Sequence, residues 1–118
     1  MTECYERTKH IQSFGYKRND QIKNYQGLFE LVDAGNKFEI WSLQIRERYR
    51  NKGYGTQMLM EFISQFSFEK PLVLYVHKTN EIAIKLYEKV GFKIIGECKF
   101  APYAYEMQYF NRKENEND

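Results

Sequence analysis

The sequence predicts an α+β fold, a mixed and mostly antiparallel central sheet carrying two main helices. Three observations predict it. Two strand-like runs, Tyr25 to Val32 and Lys37 to Ile45, are joined by Asp33-Ala34-Gly35-Asn36, whose Gly and Asn tolerate positive φ and so suit a hairpin. A third run, Leu72 to Val76, is apolar almost throughout, as a strand covered on both faces should be. Two segments repeat apolar residues at helical spacing, Leu59, Phe62, Ile63 and Phe66 in one and Ala83, Leu86, Tyr87 and Val90 in the other.

Taken in order, residues 9 to 17 alternate loosely and predict an edge strand, and Lys17-Arg18-Asn19-Asp20 reads as a turn. The hairpin follows. The first helix begins near Thr56 and is stopped by Lys70-Pro71, since proline cannot continue it. After the apolar strand, the second helix ends on Gly91, a residue free to take the backbone conformation of a helix C-terminus. Phe92 to Glu97 and Tyr103 to Tyr109 alternate as a last pair of strands. Residues 111 to 118 contain no apolar side chain and predict a frayed tail, so residues 1 to 110 are read as one domain.

Composition narrows the classes of function. At 118 residues the chain is long enough to bury about two thirds of its unfolded surface, but too short for two independent cores. Eighteen basic against sixteen acidic residues, a formal charge of +2, create no global field that implies nucleic acid or an anionic membrane as partner. Cys4 and Cys98 form no Cys-x-x-Cys pair and no cluster with His10 or His77, so neither a disulfide framework nor a metal site is expected. That pattern, with no signal-like N-terminus and no membrane-length apolar run, fits a reducing, cytoplasmic setting.

The chemistry concentrates at Arg50-Asn51-Lys52-Gly53-Tyr54-Gly55-Thr56, between the strand ending at Ile45 and the first helix. Glycines without Cβ atoms let a ligand approach the backbone, and the unpaired amides of a helix's first turn attract an anion. Arg46, Arg48, Arg50 and Lys52 surround this turn with only Glu47 among them, which suits a ligand bearing several phosphates. A second element, Asn80-Glu81-Ile82-Ala83-Ile84-Lys85-Leu86-Tyr87-Glu88-Lys89-Val90-Gly91-Phe92, follows the apolar strand.

Together, Arg-x-x-Gly-x-Gly after one strand and Asn-x-x-Ala-x-x-Leu-Tyr-Glu-Lys-x-Gly-Phe after another resemble the acetyl-CoA-binding half of the GNAT superfamily of N-acetyltransferases. The resemblance runs from about Gly27 to Phe92 and more loosely to Phe110. It implies a GNAT-like acyl-CoA N-acyltransferase fold, with acetyl-CoA as co-substrate and no metal. Members usually carry two helices between their first and second strands, one wall of the acceptor site, and this chain has no room for them.

The resemblance also implies roles. Leu43, Gln44 and Ile45 lie where a splayed strand pairs with the pantetheine arm and supplies an oxyanion N–H. Arg50, Asn51, Lys52, Gly53, Tyr54, Gly55 and Thr56 hold the diphosphate. Asn80 matches a coenzyme-contacting asparagine, and an asparagine at a helix start is also an ordinary N-cap. Tyr87 stands at the position of the acid that protonates the departing thiolate, and on the helix stripe it is equally a core aromatic. An amine acceptor, protonated with a pKa of about 10.4 for a lysine, must lose a proton before attack. Glu39, fourteen residues before Gly53, matches the general-base glutamate of the histone-acetylating branch, although a carboxylate merely paired with Lys37 is the alternative. Other members take the base from the strand after the first helix, where this chain has Tyr75, with His77 as a fallback.

The acceptor is therefore expected to be a primary amine. An open site suits a protein lysine or N-terminus, which is weakly favoured, whereas a second subunit in a homodimer closing the site suits a small amine. A non-catalytic coenzyme-binding module is the reading from a different class.

Overall fold

The computed structural model describes residues 2–6, 11–17, 25–65 and 69–110, with side chains described from Ile11 onward. Seven strands and two α-helices follow one another as β1 (Thr2–Glu6), β2 (Ile11–Tyr16), β3 (Gly27–Asp33), β4 (Phe38–Ile45), α1 (Tyr54–Gln65), β5 (Leu72–His77), α2 (Glu81–Val90), β6 (Phe92–Cys98) and β7 (Ala101–Tyr109). They form one sheet in the order β1-β2-β3-β4-β5-β7-β6, antiparallel throughout except where β4 meets β5. The expected α+β fold with a mixed, mostly antiparallel sheet is the one found.

One expectation needs correction. The strand at residues 9 to 17 is not the sheet edge, because Thr2–Glu6 pairs outside it, Thr2 opposite Tyr16 through Glu6 opposite Gln12. A five-residue strand with two glutamates carries too little apolar pattern to announce itself. Only residues 7 to 10 separate the two strands, so the link is far too short for the helices usual in the family. The turn expected at residues 17 to 20 and the tail at 111 to 118 lie largely or wholly outside the described residues.

The β3–β4 hairpin closes as its sequence predicts. Gly35 takes φ 93° and donates its N–H to Asp33 Oδ1 at 2.9 Å, while Ala34 N donates to Lys37 O at 2.9 Å. The register shifts between Leu28 and Glu30, where Ser42 and Leu43 of β4 stand against Phe29 alone, and Ser42 in this bulge has φ 55°.

The core forms where α1 and α2 pack against the inward side chains of the sheet. Met58, Leu59 and Phe62 of α1 and Val90 of α2 join Ile40, Leu72, Leu74, Val76, Phe92 and Met107 in one buried cluster. Phe14 and Phe29 stack at 4.9 Å, and Phe62 meets both edge-on at 4.9 Å, an arrangement favoured by the aromatic quadrupole. Because strand side chains alternate between faces, Glu39, Trp41 and Tyr75 point to the opposite side from Ile40 and Leu74. There Val73, only 1 % exposed, shares a groove with Lys37, Ile95 and Glu106.

Candidate functional site

The site originates in an interruption of the sheet. β4 and β5 pair in parallel only at Phe38 with Leu72, Glu39 with Val73 and Ile40 with Leu74. Beyond Ile40, β4 is paired with β3 alone and β5 with β7 alone. The positive φ of Ser42 and the extra residue that β4 carries there, Ser42 and Leu43 standing against Phe29 alone, turn β4 away at this point. A strand bonded along one side presents its remaining N–H and C=O groups to whatever lies on the other. On the β5 side Leu43, Gln44 and Ile45 have no strand partner, and the Ile45 carbonyl there accepts from a side chain of the following turn, Arg50.

A cavity of about 200 Å³ fills the opening, lined by Ile40, Trp41, Ser42, Leu43, Leu74, Tyr75 and Tyr87. Ile40 and Leu74 belong to the helix-side core, whereas Trp41 and Tyr75 belong to the other face, so the cavity is bordered by residues of both faces. Tyr87, expected as the acid, is one wall. It is half-buried on α2 with its ring edge-on to Phe92 at 6.2 Å, and burial pushes its phenol pKa up. A phenol held above its ordinary value keeps its proton at neutral pH, as a proton donor must.

The glycine turn follows β4 along the chain. A 3-10 turn over Glu47–Tyr49 leads from β4 into Arg50, Asn51 takes φ 64° and Gly53 φ 78°, and the first full helical bond of α1 runs from Gln57 N to Gly53 O at 3.1 Å. The amides before Gln57 have no intrahelical acceptor. Arg46 Nε donates to Tyr25 O at 2.6 Å and Arg50 Nε to Ile45 O at 2.9 Å, which fixes two exposed guanidinium groups beside the turn. Arg48 and Lys52 are exposed there as well.

The two glycines have separate structural reasons. At Gly53 a Cβ meets nothing within 4 Å, so the positive φ explains the residue; at Gly55 a Cβ lies 3.2 Å from Leu86 Cδ1, so close contact of α1 with α2 does. Tyr54 and Thr56 flank Gly55 in the first turn, both half-buried. Asn80 is the N-cap of α2, its Oδ1 accepting from Ala83 N at 3.2 Å, and Gly91 ends that helix with φ 128°.

Glu39 is set back from the cavity. Its Oε1 accepts from Trp41 Nε1 at 3.0 Å and its Oε2 from Tyr75 Oη at 2.5 Å, with Lys37 Nζ 3.9 Å away and the side chain 12 % exposed. Lys37 also donates to Glu106 Oε2 at 3.2 Å and lies over the Tyr75 ring at 5.7 Å. Burial first, and then the bond to Glu39, push the Tyr75 phenol up to about 12. The neighbouring Tyr75 hydroxyl chiefly, and Glu106 after it, raise Lys37 against the opposing effect of burial. Phe100 covers this group, 5.0 Å from Tyr75 and 5.8 Å from Trp41. His77, the fallback base, is engaged through Nδ1 with Thr79 Oγ1 at 2.7 Å and stacks on Tyr103.

The expected residues thus gather into three zones: the turn, the free edge of β4 with Tyr87, and the Glu39 cluster behind it. Sequence reasoning gave no site role to Ser42, which no glycine marks, or to Phe100 and Glu106, which reach the cluster from distant positions. Among the described residues, no group of three or more His, Cys, Asp or Glu is placed to hold a metal, and no helix is long and apolar enough to cross a membrane.

Comparison with known proteins agrees with this geometry. A spermine/spermidine N(1)-acetyltransferase of Bacillus subtilis is 35 % identical over 80 residues, covering 63 % of this chain and 53 % of its own length. A spermidine N(1)-acetyltransferase of Thermoplasma acidophilum is 32 % identical over 71 residues, covering 58 % of this chain and 44 % of its own length. The chain spans about half the length of these relatives. The PaiA N-acetyltransferase of Thermoplasma acidophilum, solved in complex with coenzyme A, superposes with a TM-score of 0.68 at 24 % identity, over 86 % of this chain and 62 % of its own. The sequence profile of the acetyltransferase (GNAT) family matches residues 2–92. With more than three quarters of its length inside that profile, the chain belongs to the acetyltransferase (GNAT) family.

Proposed function

We propose that this chain transfers an acetyl group from acetyl-CoA to a primary amine by direct attack in a ternary complex, with residues 1 to 110 acting as one catalytic unit. The observation that carries the reading is the gap between β4 and β5, with Tyr87 on one side and the Tyr75–Glu39 pair on the other. The diphosphate of acetyl-CoA sits on the first turn of α1 among Arg46, Arg48, Arg50 and Lys52, where backbone amides and basic side chains converge. The pantetheine arm pairs with the free edge of β4 at Leu43 to Ile45, which brings the thioester into the gap. Asn80, at the start of α2, borders the same coenzyme.

The amine enters from the opposite face and attacks the thioester carbonyl. A β4 amide stabilises the oxyanion, and the thiolate leaves with the proton of Tyr87. Oriented reactants in a gap this narrow gain from proximity alone.

For the acceptor, a small aliphatic polyamine is the preferred class. The named substrates of the two relatives support it, as does the mixture of aromatic rings and carboxylates at Trp41, Tyr75, Phe100, Glu39 and Glu106, suited to an alkylammonium chain. In this reading a second copy of the chain supplies the wall that the four-residue β1–β2 link leaves open. A protein lysine is the second reading, supported by that same openness.

The test is labelled acetyl-CoA incubated with a panel of polyamines and, separately, with lysate protein, using Tyr87→Phe as control, while light scattering gives the oligomeric state. Label on polyamines that drops in the variant is expected. Label confined to protein would replace the polyamine with a lysine acceptor, and a fully active monomer would remove the second copy.

A further inference from the structure

Resting on the acetyltransfer reading, we propose that Tyr75 is the group that takes the proton from the attacking amine, relaying its own phenolic proton to Glu39. Glu39 has the chemistry of a base but not the position. Both its oxygens are engaged, Oε1 by the Trp41 indole and Oε2 by the Tyr75 hydroxyl, and it is absent from the cavity wall. Tyr75 does line the cavity, together with Tyr87, and its hydroxyl is 2.5 Å from Glu39 Oε2. Tyr75, and not Glu39, is therefore the member of this hydrogen-bonded pair that borders the gap.

The charged and titratable groups around Tyr75 define how the relay runs. Glu39 approaches from β4 and Lys37 from the bend just before it, Glu106 is its register partner on β7, and Tyr87 shares the cavity from α2. With the phenol held up at about 12, a standing phenolate is not available at neutral pH, so the proton must pass through the hydroxyl in one motion. The ammonium first gives one proton to solvent; as the neutral amine's lone pair then forms the C–N bond, its N–H proton moves to Tyr75 Oη and the original Oη proton moves to Glu39 Oε2. The C–S bond then breaks, and sulfur takes the proton of Tyr87. Solvent takes one proton from Glu39 and returns one to Tyr87, which leaves an acetamide, free coenzyme A and an unchanged enzyme.

In this scheme Tyr75 is catalytic and Glu39 acts through it. Tyr75→Phe should lower kcat by about 10²-fold or more, the usual contribution of a positioned acid or base, with the Kd for acetyl-CoA within about twofold of wild type. Glu39→Gln should give a similar loss. The double variant should be no slower than about threefold below either single one, because two links of one relay are not independent. Activity of Tyr75→Phe within threefold of wild type, beside an impaired Glu39→Gln, would overturn the relay and make Glu39 act through water instead. If Tyr75→Phe does not fold, a fluorinated tyrosine at position 75 keeps the ring and hydroxyl. Its more acidic phenol should move the alkaline limb of the kcat profile to lower pH, and an unmoved limb would overturn the proposal. Wild-type protein that acetylates no amine at all would instead remove the acetyltransfer reading, and the relay with it.

Discussion

At the scale of single residues, the site is a set of hydroxyls and carboxylates whose roles follow from what each already touches. Tyr87 touches core on one side and cavity on the other, so Tyr87→Phe keeps the packing and removes only the proton donor. Turnover should fall by about 10²-fold or more, while calorimetric affinity for acetyl-CoA stays nearly unchanged. Gly53 is a different kind of residue, with φ 78° and open space around it. Gly53→Ala should cost about 1–2 kcal/mol of stability in urea unfolding, the penalty for a Cβ in left-handed backbone, with no packing clash added. Tyr87 and the glycines were legible in the sequence because a motif ties them to neighbours along the chain. The bond from Tyr75 to Glu39 was not legible, since it joins positions 36 residues apart, whereas the neighbouring Trp41 lies only two positions along the strand.

At the scale of elements, the helices carry signals that are local in sequence and the splayed strands do not. The apolar stripe of α2 and its terminal Asn80 and Gly91 are all written within a dozen positions, and the structure uses them as expected. Asn80→Ala should lower stability by about 1 kcal/mol, the ordinary value of an N-cap, and Asn80→Asp should restore it. Equilibrium denaturation separates this from a coenzyme contact, because only the latter changes acetyl-CoA affinity at constant stability. The first helix depends on its partner rather than its own cap: Gly55 lets α1 approach Leu86 of α2. Gly55→Leu overpacks that contact and should destabilise the fold by about 1–3 kcal/mol, with acetyl-CoA binding weakened because the turn moves with the helix. The separation of β4 from β5 rests on a positive φ at Ser42 and on the bulge that Ser42 and Leu43 form in β4. Neither residue type requires such a backbone, so periodicity predicts a strand there but not its divergence.

At the scale of the whole molecule, a formal charge of +2 conceals a concentrated network on the face opposite the helices. Lys37, Glu39, Tyr75 and Glu106 link β4, β5 and β7 through hydrogen bonds and ion pairs that no sum of charges reveals. Its pH dependence follows from the direction of the shifts. Tyr75 is pushed up to about 12 from an ordinary value of 10, and Lys37 is also raised. Below pH 10 the phenol is protonated in folded and unfolded chain alike, so this contribution is fully present. Between pH 10 and 12 the unfolded chain releases the phenolic proton while the folded chain retains it, and stability falls as pH rises. Lys37 acts with the same sign, since its folded form holds a proton that the unfolded form gives up from about pH 10.4 upward. Thermal unfolding followed by circular dichroism should therefore show a Tm that declines through this alkaline window. Tyr75→Phe should start lower, because Glu39 Oε2 loses a hydrogen-bond donor, and should decline less steeply with pH. Parallel declines in the two proteins would mean that other ionisations, not this cluster, govern the alkaline limit of the fold.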